Sequence, residues 1–383
     1  MSSMGRLAAF PPASRLAVWR AFWLLALLGA ACGSGPEDRQ GTKPQHVFVI
    51  VLENKGFDET FGPSSKAPYL SVELTGRGQL LRQYYGIGHE SLDNYIAMVS
   101  GQGPNLETQL DCTIYSDFLG LPVLDLNGQA IGHGCVYPAV VKTVADQLEG
   151  RQLSWKGYME DMGNALPREP ALCRHPALNQ QDHTQSAHVG DQYAARHNPF
   201  VYFHSIIDDD QSCEAHVVPL TELPSDLLND SSTPNYVFIT PNLCNDGHDD
   251  PCVDGSKGGL ISADQFLQQW VPLILDAPAF QENGLLAVLF DEAELGGASA
   301  DASACCNEPV GPNVALAGIL GPGGGRTGAV LISPFIRGGS VNDTPYNHYS
   351  LLRSVEDLFG LPHLGYAGAV GLKAFGDDVY NGR

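Results

Sequence analysis

Three residue pairs in this 383-residue chain have the types and the placement of ligands or acid–base groups: Glu53-Asn54, Asp246 with His248, and Asp291-Glu292. Each follows a short apolar run: HVFVIVL over His46–Leu52, YVFIT over Tyr236–Thr240, LLAVLF over Leu285–Phe290. One acidic residue after such a run is ordinarily a solvated loop or a helix cap. Several carboxylates brought to one edge repel each other, and a divalent cation is the usual way that repulsion is offset. A mixed Asp, Glu, His and Asn set without thiolate suits Mg, Ca, Mn, Fe or Zn and does not choose among them.

Ser91 is the candidate nucleophile. It precedes an apolar-periodic stretch, Tyr95, Ile96, Met98 and Val99, and so falls at a helix N-terminus. The plain role for a serine there is an N-cap. The same place presents free N–H groups and the positive end of the helix dipole, where a phosphoryl group docks. A serine facing metal ligands can attack phosphorus once a cation lowers its hydroxyl pKa. Asn94, one turn on, is placed to donate to a phosphoryl oxygen, and His89 to orient phosphate or protonate a leaving group; a structural histidine is the competing reading.

The elements that must carry these residues follow from the same pattern. A continuous apolar run marks a strand buried on both faces of a parallel sheet. FVYF over 200–203, ending at His204, and AVLI over 329–332, ending at Ser333-Pro334, are expected to be two more. Helical spacing runs over 139–150, over 263–275 with Pro272 kinking or shortening it, and over 348–359, which His348 opens and Gly360 closes. Strands alternating with helices give an α/β fold, a mostly parallel central sheet with helices on both faces. Ligands bind such sheets outside the carboxyl ends of the strands. The glycine run GPGGG over 321–325 lacks the Lys-Ser/Thr ending of a phosphate loop and is expected to form a turn.

Composition narrows the function. Lys+Arg number 21 against 43 Asp+Glu, a net charge of −22, which argues against gripping nucleic acid or an anionic membrane through a basic face. Hydrophobic content of 43% supports a sizeable core. Residues 1–32 read as a signal peptide: three arginines, a short apolar run over 21–31 and no acidic residue. Cys32 stands where a bacterial lipoprotein is lipidated, although Gly29 replaces the usual branched aliphatic residue; secretion after ordinary cleavage fits equally. Residues 33–43 read as a flexible linker and 44–383 as one catalytic domain. Beyond Cys32, eight cysteines remain, an even number that reads as a disulfide framework in an exported chain. Sequence order suggests 112–135, 173–213 and 244–252, with the adjacent Cys305 and Cys306 left open.

The segments HVFVIVLENKGFDETFG (46–62), GHESLDNYIAMVSG (88–101), YAARHNPFVYF (193–203), TPNLCNDGHD (240–249), LLAVLFDEAE (285–294) and PYNHYSLLRSVEDLFGL (345–361) resemble the bacterial phosphoesterases. That family includes secreted acid phosphatases and non-haemolytic phospholipases C and is related in fold to alkaline phosphatase. The likeness is strongest to the short secreted acid phosphatases, among them a mycobacterial-type enzyme acting on phosphatidylinositol 3-phosphate. It implies Ser91 as nucleophile, Asn94 and His89 beside it, and Glu53, Asn54, Asp246, His248, Asp291, Glu292 and His348 as ligands of one or more divalent metal ions. His197 lies in a matching segment without an assigned role, and Asp93 departs from the proline usual in relatives. The implied activity is hydrolysis of phosphate monoesters, phosphoinositides included; export, either lipid-anchored through Cys32 or plainly secreted, follows from the leader and not from the resemblance. The competing readings are a phospholipase C-type phosphodiesterase, transfer of sulfate or other esters, and a catalytically silent surface protein stapled by metal.

Overall fold

The computed structural model describes residues 43–382; the leader and all of the linker except Lys43 lie outside the described residues. The sheet is built around β1 (His46–Leu52), whose seven residues are all buried. Beside it stand β2 (Gln79–Leu81), β3 (Trp155–Met159), β4 (Val217–Pro219), β5 (Tyr236–Thr240), β6 (Gly284–Phe290), β7 (Ala329–Ile332) and β8 (Ser340–Asn342), in the order β8-β2-β7-β6-β1-β5-β3-β4. All run parallel except β7, which is antiparallel to both neighbours.

Two hydrophobic layers sandwich the sheet, as alternation along β1 requires. Val47, Val49 and Val51 face α1 (Ser91–Ser100), α2 (Val144–Gly150) and α4 (His348–Phe359), while Phe48, Ile50 and Leu52 face α3 (Leu260–Asp276). The mostly parallel α/β arrangement expected from the sequence is therefore present. Among the described residues, no helix is long and apolar enough to cross a membrane.

Four local expectations are corrected. FVYF is no strand: Pro199–Tyr202 is a 3₁₀ turn, and Phe203 forms only an isolated bridge with Tyr137. Pro199 fixes the turn, and four buried aromatic and aliphatic residues look the same in a buried turn as in a buried strand. AVLI is a strand, but its reversed direction sends Ser333 to the opposite edge, where its hydroxyl donates to the Gly284 carbonyl at 2.6 Å. Helix α2 begins at Val144 because Thr143 and Asp146 form a capping box, leaving 139–142 outside it. Pro272 neither ends nor shortens α3, which runs on to Asp276. The short strands β2 and β8 had no legible pattern.

The glycine run bends over 321–324 and, instead of closing a hydrogen-bonded turn of its own, pairs with Gly86. Gly86 N–H donates to Gly325 O at 2.9 Å and Gly324 N–H to Gly86 O at 3.2 Å. A Cβ on Gly324 would stand 2.2 Å from the Gly88 carbonyl oxygen, so glycine is needed for this approach to the segment that leads into Ser91. The disulfides are Cys112–Cys135, Cys173–Cys213, Cys244–Cys252 and the adjacent Cys305–Cys306.

Candidate active site

Parallel pairing carries the acidic residues together. β1 lies between β5 and β6, and pairing extends past the strand ends: Glu53 N–H donates to Asp246 O at 2.9 Å and Asp291 N–H to Leu52 O at 2.9 Å. Glu53, Asp246 and Asp291 thus stand at adjacent positions of one edge, each fully buried. Asn54 leaves the strand with φ 57°, and Glu90, just before Ser91, has φ 72°. A non-glycine residue in the left-handed region is costly, and two such residues flank the two groups on which the site depends.

Glu53 is the hub. Its Oε2 accepts from Ser91 Oγ at 2.7 Å and from Asn54 Nδ2 at 3.0 Å, and its Oε1 accepts from the Tyr95 hydroxyl at 2.5 Å. Tyr95 also stacks on His197, ring centres 5.3 Å apart. His197 Nε2 stands 3.5 Å from Glu53 Oε2, and its Nδ1 stands 3.1 Å from Asp246 Oδ2. Neither contact has the alignment of a hydrogen bond. Both His197 nitrogens, Asp246 Oδ2 and Asp291 Oδ2 are buried without a hydrogen-bond partner among the described residues.

Such orphans are costly unless something else takes up their lone pairs. One ligand atom from each of Glu53, His197 and Asp246 lies within 4.8 Å of the others. This buried oxygen-and-imidazole set can hold a divalent cation. The protein alone resists charging it: burial pushes the Glu53 carboxyl up and the Asp246 and Asp291 carboxyls well up, Glu53 adding repulsion to the last two. Burial likewise pushes His197 well down, helped by the Arg196 charge.

The other expected residues have different partners. Glu292 turns to His89 Nδ1, whose ring Nε2 donates to the Asp301 carbonyl at 3.0 Å. Burial drives His89 down and Glu292 well up, the second reinforced by Asp93, so this pair favours its neutral forms. His248 backbone N–H donates to Asp246 Oδ1 at 2.8 Å, while its ring meets Asp249 at 2.8 Å and Arg196 Nη2 at 3.4 Å. His348 is held by Tyr84 OH at 3.0 Å and by the Asp291 carbonyl at 2.6 Å. Asn94 pins the loop ahead of α1, accepting from Ile87 and Gly88 N–H at 2.7 and 3.1 Å and donating to Gly88 O at 3.0 Å. The N-terminus of α1 is partly claimed as well, since Leu92 N–H donates to Asp111 Oδ1 at 2.9 Å.

Sequence reasoning left His197 without a role and passed over Tyr95, Asp111 and Arg196. Tyr95 sat among the apolar-periodic positions and so resembled core. Arg196 ahead of a buried aromatic turn was the available signal, since an arginine is seldom buried without a partner.

The match to known proteins is with this scaffold. Residues 64–362 fit the model of the phosphoesterase family. The chain belongs to that family. It is similar to a phosphate-repressible acid phosphatase of Penicillium chrysogenum, 28% identical over 316 residues, which are 82% of this chain and 59% of the relative. An acid phosphatase of Aspergillus fumigatus is 26% identical over 326 residues, 85% and 57% of the two chains. This phosphoesterase thus spans only about three-fifths of the length of these fungal relatives. A phosphatidylinositol-3-phosphatase of Mycobacterium tuberculosis is 23% identical over 360 residues, 91% of this chain and 92% of that one. Among solved structures, one of a protein in the alkaline phosphatase superfamily from Vibrio parahaemolyticus is similar with a TM-score of 0.46 at 12% identity, over 84% of this chain and 68% of that one.

Proposed function

We propose that this chain is an exported, metal-dependent phosphomonoesterase of the acid phosphatase type, with Ser91 as its nucleophile. One observation carries the reading: the Ser91 hydroxyl donates to Glu53, and Glu53 belongs to the buried Glu53–His197–Asp246 set in which both His197 nitrogens and Asp246 Oδ2 lack partners. Membership of the phosphoesterase family and the acid phosphatase relatives support the reaction class. Phosphoinositide substrates are proposed from the likeness to the mycobacterial phosphatase. Four disulfides fit an oxidising compartment and hence export.

Glu53, Asp246 and His197 would hold the cation, with Asp291 Oδ2 and Asn54 beside them. When bound, it supplies Lewis acidity towards a phosphoryl oxygen and offsets the carboxylate charge. The chain's own residues do the rest. Glu53 orients the Ser91 oxygen, and Tyr95 fixes both Glu53 and the plane of His197. Ser91 Oγ passes its proton to Glu53 and bonds to phosphorus as the P–O ester bond breaks, and the leaving oxygen takes up a proton from water to depart as the alcohol. Water then cleaves the phosphoserine and releases phosphate. Asn94 and the His89–Glu292 pair act as positioning groups, holding the loop that presents Ser91. His348 and His248 secure the backbone and flank of the acidic edge.

The test is a substrate panel on protein stripped with EDTA and reloaded with single metals. It compares p-nitrophenyl phosphate, phosphatidylinositol 3-phosphate and a phosphodiester. Metal-dependent turnover of the monoesters is expected. Preferential diester turnover would assign a phospholipase C-type reaction instead, and bound metal without turnover of any ester would leave a structural metal protein.

A further inference from the structure

A site built from Glu53, Asp246 and Asp111 repels the anion it is proposed to bind. One buried cation touches Asp111, and its charge reaches the other two. Arg196 is 3% exposed, in the 3₁₀ turn Ala195–His197, and its charge acts on Glu53, Asp246, Asp111 and Glu90. Nη1 donates to Gln185 O at 2.9 Å, Nη2 faces His248 Nε2 at 3.4 Å, and Nε lies 3.2 Å from Asp111 Oδ2 without hydrogen-bond alignment. Asp111 in turn accepts from Leu92 N–H, which places the guanidinium one carboxylate away from the turn that bears Ser91. A guanidinium has five N–H donors. These contacts leave Arg196 with donors to spare in a buried polar site.

We propose that Arg196 is the phosphoryl-binding side chain of this site and sets its preference for dianionic monoesters over diesters. The proposal rests on the phosphoesterase reading above. The planar fork of a guanidinium matches two oxygens of one phosphoryl group, and the pairing is charge-assisted. A monoester brings close to two charges on three non-bridging oxygens; a diester brings one charge on two. The carboxylates that repel both make the cation matter most for the dianion. Lysine, a point charge without the fork, reproduces only part of this.

The test compares wild type with Arg196→Lys, Arg196→Gln and Asp111→Asn. It measures kcat and KM on p-nitrophenyl phosphate and bis(p-nitrophenyl) phosphate, metal content, and inorganic phosphate binding by calorimetry. Arg196→Gln is expected to weaken phosphate binding and raise the monoester KM by roughly ten- to a hundredfold, the span of a hydrogen bond to a charged group. The diester KM should change less, metal content should be kept, and added guanidinium ion should restore part of the monoester rate. Arg196→Lys should fall between. Asp111→Asn, which removes a carboxylate that repels the anion and competes for the guanidinium while keeping an acceptor for Leu92 N–H, should strengthen phosphate binding.

Unchanged phosphate affinity in Arg196→Gln, or equal kcat losses on both esters with KM intact, would overturn the proposal and leave Arg196 a brace for α1. If Arg196→Gln does not fold, Arg196→Lys with phosphate affinity equal to wild type overturns it. Calorimetry needs no turnover, so wild type that hydrolyses neither ester with any metal sinks the phosphoesterase reading while Arg196 is still judged by phosphate binding.

Discussion

Two buried arginines show how differently this chain treats its polar groups. Arg168, 6% exposed, has every guanidinium nitrogen spent on the framework: Nε donates to His183 O at 3.1 Å, Nη1 to Asp191 O at 2.8 Å and Nη2 to Ser186 O at 2.6 Å. It gathers the 183–191 loop and is paired with Asp191 at 2.5 Å. Arg196 is at least as buried, yet its Nε lacks an aligned acceptor, and the atoms around it at Asp246, Asp291 and His197 are unpartnered too. Burial without satisfaction costs stability wherever it occurs. Such atoms occur elsewhere too, Asp191 Oδ2 among them, but five of them, on Arg196, His197, Asp246 and Asp291, meet at one sheet edge, where the fold holds polar groups that its own residues do not satisfy.

That contrast predicts opposite consequences for equally buried substitutions. Ser91→Ala should lower kcat on p-nitrophenyl phosphate by about 10⁴-fold or more, as expected on removing a nucleophile, while the melting temperature stays near wild type. Near-normal turnover would end the Ser91 assignment. Next in size, EDTA should abolish activity and lower the melting temperature, because an ion that binds only the folded state stabilises it by mass action; Asp246→Asn should then show reduced metal content in the purified protein. Arg168→Ala should do the reverse, costing about 3–5 kcal/mol in urea unfolding by stranding Asp191 and three carbonyls, with kcat per folded molecule intact. An activity loss without a stability loss would blur the distinction between the two regions.

The smallest effect concerns Glu356 on α4, which accepts from Leu364 N–H at 2.8 Å and whose carboxyl burial pushes up from 4.5 to about 9. A raised carboxyl pKa means the folded protein holds its proton more tightly than the unfolded chain. The associated stability is full below about pH 4.5 and is lost as pH rises towards about 9. Glu356→Gln should flatten that decline and gain roughly 1–2 kcal/mol at pH 8, as read by urea melts across pH. Parallel curves for variant and wild type would show that Glu356 is not the group responsible.

Strand and site were unequally legible. The apolar runs of β1, β5 and β6 announced themselves because strands buried on both faces carry no polar alternation, and their polar endings followed directly. Their side-by-side pairing then put Glu53, Asp246 and Asp291 on one edge, as the fold class implied. The direction of β7 was not legible, since an apolar run reads the same in either direction. Nor was the identity of the third buried partner of Glu53 and Asp246. The residues expected there included His248 and His348, but their rings are spent on Asp249, Arg196, Tyr84 and the Asp291 backbone, and His197 from a distant turn takes the place.

By itself the sequence determined what is local or periodic: the α/β layering, the strand ends that carry acid, a serine opening a helix, and an even set of cysteines after Cys32. Only the tertiary structure decided which polar atoms go unpaired. Whether a buried imidazole or guanidinium is saturated depends on the neighbours that long-range packing brings within about 3 Å, and Arg168 and Arg196 carry the same side chain with opposite outcomes.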